Sequence, residues 1–374
     1  MKIWLFLLGL AWIGLSLATA QTPTPDGVVS PEVHADHSVT FRLRAPNARE
    51  VTLSGDWLPV GQSEPLTKGP EGVWSLHTRP LEPNGHLYWF NLDGVAIADP
   101  VNPALKLRQR TSASLVEVPA QPAAAWELGD VPHGTVVTAW QPSAILHRTE
   151  RIVLYLPPGY EKSSSRYPVL YLVHGSGDVP ESWVQAGHAN FILDNLLAAG
   201  KAKPLIVVMP AGHALPFGAP RTGPVSNNEL FEQYLTQEVI PLVEAHYRVA
   251  PGARSWALAG LSMGGGHTLY TGFRHPELFH ALGAFSPGLP RDLEGQVPSV
   301  VPDPKAWNTK VGLLWIACGD QDHTVQYERV KAWAESLQQH GIHATFHTYA
   351  GAHTWPVWRQ SLTDFVPLLF AEER

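Results

Sequence analysis

Apolar residues follow two rhythms along this chain. Between Val39 and Phe90 they alternate with polar ones in short runs, as in Val39-Thr40-Phe41-Arg42-Leu43-Arg44, Val51-Thr52-Leu53 and Leu87-Tyr88-Trp89-Phe90, broken by Ala45-Pro46-Asn47 and Asn91 to Gly94. Period-two alternation with frequent turns predicts half-buried strands packed as a small β-sandwich over residues 28–118. Further on, solid apolar runs take over: Tyr167 to Val173, Pro204 to Met209, Trp256 to Ala259, Val311 to Cys318, and a strand from Ala344 to Tyr349. Between them come helical spacings, Leu230, Phe231, Tyr234, Leu235, Val239, Leu242 and Val243, then Tyr327, Val330, Trp333 and Leu337. Pro241 is expected to kink or end the first of these. Such alternation predicts an α/β domain over residues 134–374, a mostly parallel sheet covered on both sides, opened by antiparallel strands at Thr135–Thr138 and Arg151–Leu156. The Pro- and Ala-rich stretch 119–133 reads as a linker between the two.

Composition adds a compartment and excludes partners. Met1-Lys2, the apolar Ile3 to Leu17 and the small residues Ala18-Thr19-Ala20 form the pattern of a secretory signal over residues 1–20, which places the protein outside the cell or in a periplasm, with no membrane association after its removal. Without the leader 25 basic residues face 33 acidic ones, a net charge of −8, and no basic cluster is present, so nucleic acid is not an expected partner. The lone Cys318 ends an apolar strand and reads as a buried hydrophobe. The chain has no HExxH, no paired CxxC, no GxGxxG after a strand and no phosphate loop; no cofactor or metal is expected. Nothing in the pattern speaks to oligomeric state.

The chemistry concentrates after residue 170. Gly260-Leu261-Ser262-Met263-Gly264 fits the GxSxG elbow, with an apolar strand before it and Gly265-Gly266-His267-Thr268-Leu269-Tyr270 as a helix after it. The turn is too tight for side chains at 260 and 264, and it holds Ser262 in a strained conformation that lifts its hydroxyl towards a helix N-terminus. A serine hydroxyl needs a base, and His353 stands in Gly351-Ala352-His353, a short loop directly after a strand. An acid should orient that imidazole. Asp322 and Asp320 both follow the strand ending at Cys318; Asp322 has the greater reach beyond the strand end, and Asp320 reads as a turn residue. For an oxyanion, the N–H of Met263 is one donor, and the backbone of Ser176, in His174-Gly175-Ser176-Gly177-Asp178 after the strand ending at Val173, is the second. The walls of an acyl pocket are expected from loops Asp178–His188, with Trp183, and Gly212–Asn228.

Together, Leu172-Val173-His174-Gly175, Ala259-Gly260-Leu261-Ser262-Met263-Gly264-Gly265, Ala317-Cys318-Gly319 with Asp322, and Gly351-Ala352-His353 resemble the secreted esterases of the α/β-hydrolase fold that include feruloyl, acetyl xylan and enterochelin esterases and mycolyltransferases. The resemblance covers about residues 134–374 and implies cleavage of an acyl ester through an acyl-serine intermediate, with Ser262, Asp322 and His353 at the matching positions. Substrates it allows are acylated carbohydrate, a siderophore lactone, another small ester or an acyl-transfer acceptor. Residues 28–118 resemble the immunoglobulin-like module ahead of starch- and glycogen-branching enzymes and of some such esterases. Stacking on sugar is one reading of Trp57, Trp74 and Trp89; filling a core or packing on the second domain is the reading preferred. A rival of a different class, a carbohydrate-binding protein on a passive hydrolase scaffold, sits poorly with an intact Ser, Asp and His set.

Overall fold

The computed structural model of the protein describes residues 27–109, 111–216, 218 and 226–370; the leader expected over residues 1–20 lies outside them. Up to residue 118 the chain makes short antiparallel strands, because alternation lets each bury one face and hydrate the other. Val39–Arg44 pairs with Val73–His77 in one sheet. In a second, Gly85–Leu92 lies between Val51–Gly55 and Ala113–Glu117. Phe41 and Leu43 of the first sheet meet Leu53, Tyr88, Phe90 and Val116 of the second in one core, where the Phe41 and Tyr88 rings lie 4.6 Å apart. Trp74 is buried, its Nε1 donating to the Ala45 carbonyl at 2.9 Å. Trp57 is half-buried and stacks on Phe41. Trp89 points away from this core, half-buried, with the Arg108 guanidinium 6.0 Å over its ring.

The remaining strands form one eight-stranded sheet: β1 (Thr135–Ser143), β2 (Arg148–Leu156), β3 (Val169–Val173), β4 (Ile206–Met209), β5 (Trp256–Leu261), β6 (Ala281–Phe285), β7 (Leu313–Gly319) and β8 (Ala344–Tyr349). Their spatial order is β1-β2-β4-β3-β5-β6-β7-β8. The pairs β1–β2 and β2–β4 are antiparallel, and all the others are parallel. Parallel strands joined by crossover helices are covered on both faces, so β3, β5 and β6 are buried at every residue. Alternate side chains feed two cores. Tyr171, Val173, Leu258 and Ile316 pack with Phe231, Leu269 and Trp333 on one face, while Leu170, Leu172, Ala257 and Trp315 pack with Trp183, Leu193 and Trp358 on the other.

Two details differ from the pattern-based expectation. β1 runs to Ser143 and includes Pro142, which its place at the sheet edge permits because no ladder donor is needed on the open side. The helix over Leu230–Val243 does not stop at Pro241: it widens into a π-turn at Leu235–Val239 and resumes at Ile240–His246. The wider turn moves the carbonyls of the preceding turn clear of the proline ring.

Residues 119–133 carry no strand or helix and run against helix Ala189–Ala198, whose Asn195 Nδ2 donates to the Ala125 and Glu127 carbonyls, both at 2.8 Å. The N-terminal sheets also dock directly on the large sheet's layer. Arg359, on helix Trp355–Phe365, is 0% exposed and bidentate to Glu117 at 2.9 and 2.7 Å, while its Nε donates to the Ala186 carbonyl at 2.7 Å.

Candidate active site

β5 ends at Leu261 and helix Met263–Arg274 begins two residues later, leaving Ser262 alone to turn the chain. Its φ of 52° and ψ of −112° lie where side chains are disfavoured. The surroundings hold it there: Ser262 N–H donates to the Phe285 carbonyl at 2.8 Å, and its own carbonyl accepts from Gly266 and Gly288 N–H at 3.0 and 2.9 Å. Strain of this kind survives only when neighbours over-determine it. The flanking glycines are required by space. A Cβ on Gly260 would stand 2.5 Å from the Gly264 carbonyl carbon, and one on Gly264 would collide with the carbonyl oxygen of Val173.

Two loops beyond the same ends of β7 and β8 bring the partners. His353 Nε2 lies 2.9 Å from Ser262 Oγ, and its Nδ1 lies 2.7 Å from Asp322 Oδ2. An ionised carboxylate only accepts, so Nδ1 carries the proton and Nε2 is left to accept from the serine hydroxyl. Asp322 is buried, and Thr324 and Val325 N–H donate to its Oδ1 at 3.0 and 3.1 Å. Burial pushes this carboxyl's pKa up, but the hydrogen bond and charge of His353 and the Val325 N–H outweigh it, holding the group below its ordinary range. Asp320 lies outside this line; its Oδ1 accepts from Gly351 N–H at 3.0 Å and pins the loop that carries His353.

Ser176 and Met263 flank the serine. Ser176 lines, with Gly175, Ser262 and His353, a cleft of about 170 Å³, and Met263 opens the helix that follows Ser262. The loop of Ser176 is propped by histidines. His174 Nδ1 donates to the Gly175 carbonyl while its Nε2 accepts from Gly212 N–H, both at 2.9 Å, and His213 Nε2 accepts from Gly177 N–H at 3.2 Å. Burial pulls His174 down to about 4, so it is a neutral prop. His267, on the elbow helix, is likewise structural: it stacks on Phe231 with ring centroids 4.2 Å apart, and burial pulls it down to about 3.

The aromatic walls differ from expectation. Trp183 is fully buried, its Nε1 donating to the Val173 carbonyl at 3.1 Å, and the tryptophans that line the cleft are Trp355 and Trp358. Part of the expected wall Gly212–Asn228 lies outside the described residues. Pattern reading missed Asp56, Leu87, Lys106 and Arg108, which reach the cleft from the N-terminal sheets. The one local signal was a lysine in a short strand, Leu105–Lys106, whose side chain turns out buried.

A model of the family described as "Putative esterase" matches residues 143–369. The endo-1,4-beta-xylanase/feruloyl esterase of Xylanibacter ruminicola is 34% identical over 351 residues, covering 91% of this chain and 46% of its own, so the chain spans about half the length of that curated relative. Among solved structures, a ferulic acid esterase is 27% identical, with a TM-score of 0.55 over 63% of this chain and 97% of that one. The enterobactin esterase of Shigella flexneri is 19% identical, with a TM-score of 0.66 over 89% of this chain and 93% of that one, a likeness of fold. With the strand order above, these neighbours make the central sheet one of α/β-hydrolase type.

Proposed function

The chain belongs to the esterase family matched over residues 143–369, and on that premise we propose that it is a serine esterase that cleaves carboxylic esters through an acyl-serine intermediate. Ser262 Oγ attacks the ester carbonyl as His353 Nε2 takes its proton. Asp322 holds the imidazole tautomer and stabilises the cation formed. The N–H groups of Met263 and Ser176 meet the oxyanion, each donor contributing on the order of a hundred- to a thousandfold. His353 then gives the proton to the leaving alcohol, and water repeats the attack on the acyl group. The unbroken line from Ser262 through His353 to Asp322, at 2.9 and 2.7 Å, carries this reading.

The substrate we assign is a feruloyl or acetyl ester on plant polysaccharide, a choice supported by what the Xylanibacter ruminicola relative and the solved ferulic acid esterase are named for. The layout that goes with it is a signal over residues 1–20, an immunoglobulin-like sandwich over 28–118, a connector over 119–133 and the esterase domain over 134–374, in a secreted or periplasmic protein. Purified protein assayed on aryl acetates and methyl ferulate tests it: Ser262→Ala should lower turnover by roughly 10⁴-fold or more, and near-wild-type turnover in that variant would refute the assignment. A siderophore lactone is the second reading, favoured by the fold likeness to the enterobactin esterase, which extends over 89% of the chain. Faster cleavage of a catecholate lactone than of feruloylated xylan fragments would select it.

A further inference from the structure

Next to Ser262, the loop of Ser176 carries an acid that is out of place beside a developing anion. A Cβ built on Gly175 would stand 3.2 Å from Asp178 Oδ2 and 3.4 Å from Ser262 Cβ, so this carboxylate borders the space of the nucleophile. The Asp178 side chain is 8% exposed, and water screens it little. A tetrahedral intermediate adds negative charge there, and a second uncancelled negative charge would oppose it.

The cancelling charge comes from the other half of the protein. Lys106, its side chain 3% exposed, bonds Asp178 Oδ1 with its ammonium, which lies 5.5 Å from the Trp355 ring centroid. Burial pulls the Lys106 pKa down, and the Asp178 charge opposes that pull. Beside Lys106 the backbone ties the same loop, Gln109 N–H donating to the Gly177 carbonyl at 2.8 Å, and Leu107 N–H donates at 2.9 Å to Gln185 Oε1 on the short helix that follows that loop, Ser182–Gln185.

We propose that Lys106 is a positioning residue for ester cleavage: its ammonium neutralises Asp178 beside the oxyanion and, with the backbone of Gln109, fixes the loop that presents Ser176. The N-terminal sheets are on this view a working part of the catalytic site. The inference rests on the reading of Ser262 as an esterase nucleophile.

Lys106→Gln, which can still donate to Asp178 but leaves its charge uncancelled, is the test, with 4-nitrophenyl acetate turnover and the rate of fluorophosphonate labelling as readouts. The expected result is a kcat 10- to 100-fold lower with KM within threefold, a parallel drop in labelling rate, and recovery of at least fivefold over K106Q in K106Q/D178N, where no lone charge remains. Folded K106Q with kcat within threefold of wild type, or a double variant no better than K106Q, would overturn the proposal. If K106Q does not fold, K106Q/D178N decides alone: it is expected to fold with kcat within about twentyfold of wild type, and a lower value overturns the proposal. Wild-type protein that neither labels nor turns over any ester would overturn the reading of function itself, and this inference with it.

Discussion

Replacing Arg359 by methionine removes one of the buried ion pairs that fasten the N-terminal sheets to the esterase domain. The guanidinium is 0% exposed and makes two hydrogen bonds to Glu117 and one each to the Ala186 carbonyl and to Asn84 Oδ1. Breaking a buried ion pair costs about 3–5 kcal/mol. The Glu117 side chain is 40% exposed and can turn to water, which lowers the figure. The Ala186 carbonyl left without its donor adds about 1 kcal/mol. The expected net loss for Arg359→Met is about 3 kcal/mol. The converse substitution should cost more, although it alters the more exposed partner. Glu117→Gln leaves a fully buried guanidinium without its counter-charge, at a cost of about 4–5 kcal/mol. Urea unfolding followed by tryptophan fluorescence measures both. An R359M protein within 1 kcal/mol of wild type, or an E117Q protein more stable than R359M, would refute the reasoning.

Asp322→Asn should reduce kcat by about 10⁴-fold, because an amide allows the wrong imidazole tautomer; Asp320→Asn, altering only a loop bond to Gly351, should stay within about tenfold, and steady-state kinetics on an aryl acetate separates the two. Acid should destabilise the protein through two buried histidines. Burial holds His174 and His267 neutral, with folded pKa values of about 4 and about 3, while the unfolded chain takes up protons near 6.5. Their contribution is therefore complete above pH 6.5 and falls as the pH drops towards those folded values, by about 2 kcal/mol for each histidine at pH 5. A melting temperature unchanged between pH 7 and pH 5 would count against this.

What the sequence made legible is what a few neighbouring residues decide. The elbow needs two glycines, an apolar strand before and a helix after, all within about a dozen positions, and Ser262 sits accordingly. Asp322 and His353 could be placed because each follows a recognisable strand by a few residues. Trp183 was misplaced because an aromatic in a loop near the serine reads as a pocket wall, whereas its indole N–H satisfies the Val173 carbonyl beneath the sheet's end. Arg359 was unreadable for a similar reason: a charge on a helix normally faces water, and only the Glu117 carboxylate, 242 positions away in sequence, makes its burial tolerable.

The same distance in sequence hid what the N-terminal sheets do. Of the two readings of the three tryptophans there, stacking on sugar and packing on neighbours, packing was the one preferred: Trp74 is buried, Trp57 has the rings of Phe41 and His86 against it, and Trp89 lies under Arg108. The polar groups take the opposite course. Asp56 accepts from His86 and from Leu87 N–H, which orders the corner that lines the cleft, and Lys106 and Arg108 extend that wall towards Ser176. Leu115, from the strand next to this corner, is buried in the esterase domain's own core. Cutting the chain after residue 118 would thus expose part of that core, orphan Arg359 and leave Asp178 uncancelled, so the two parts should be lost together and not one by one.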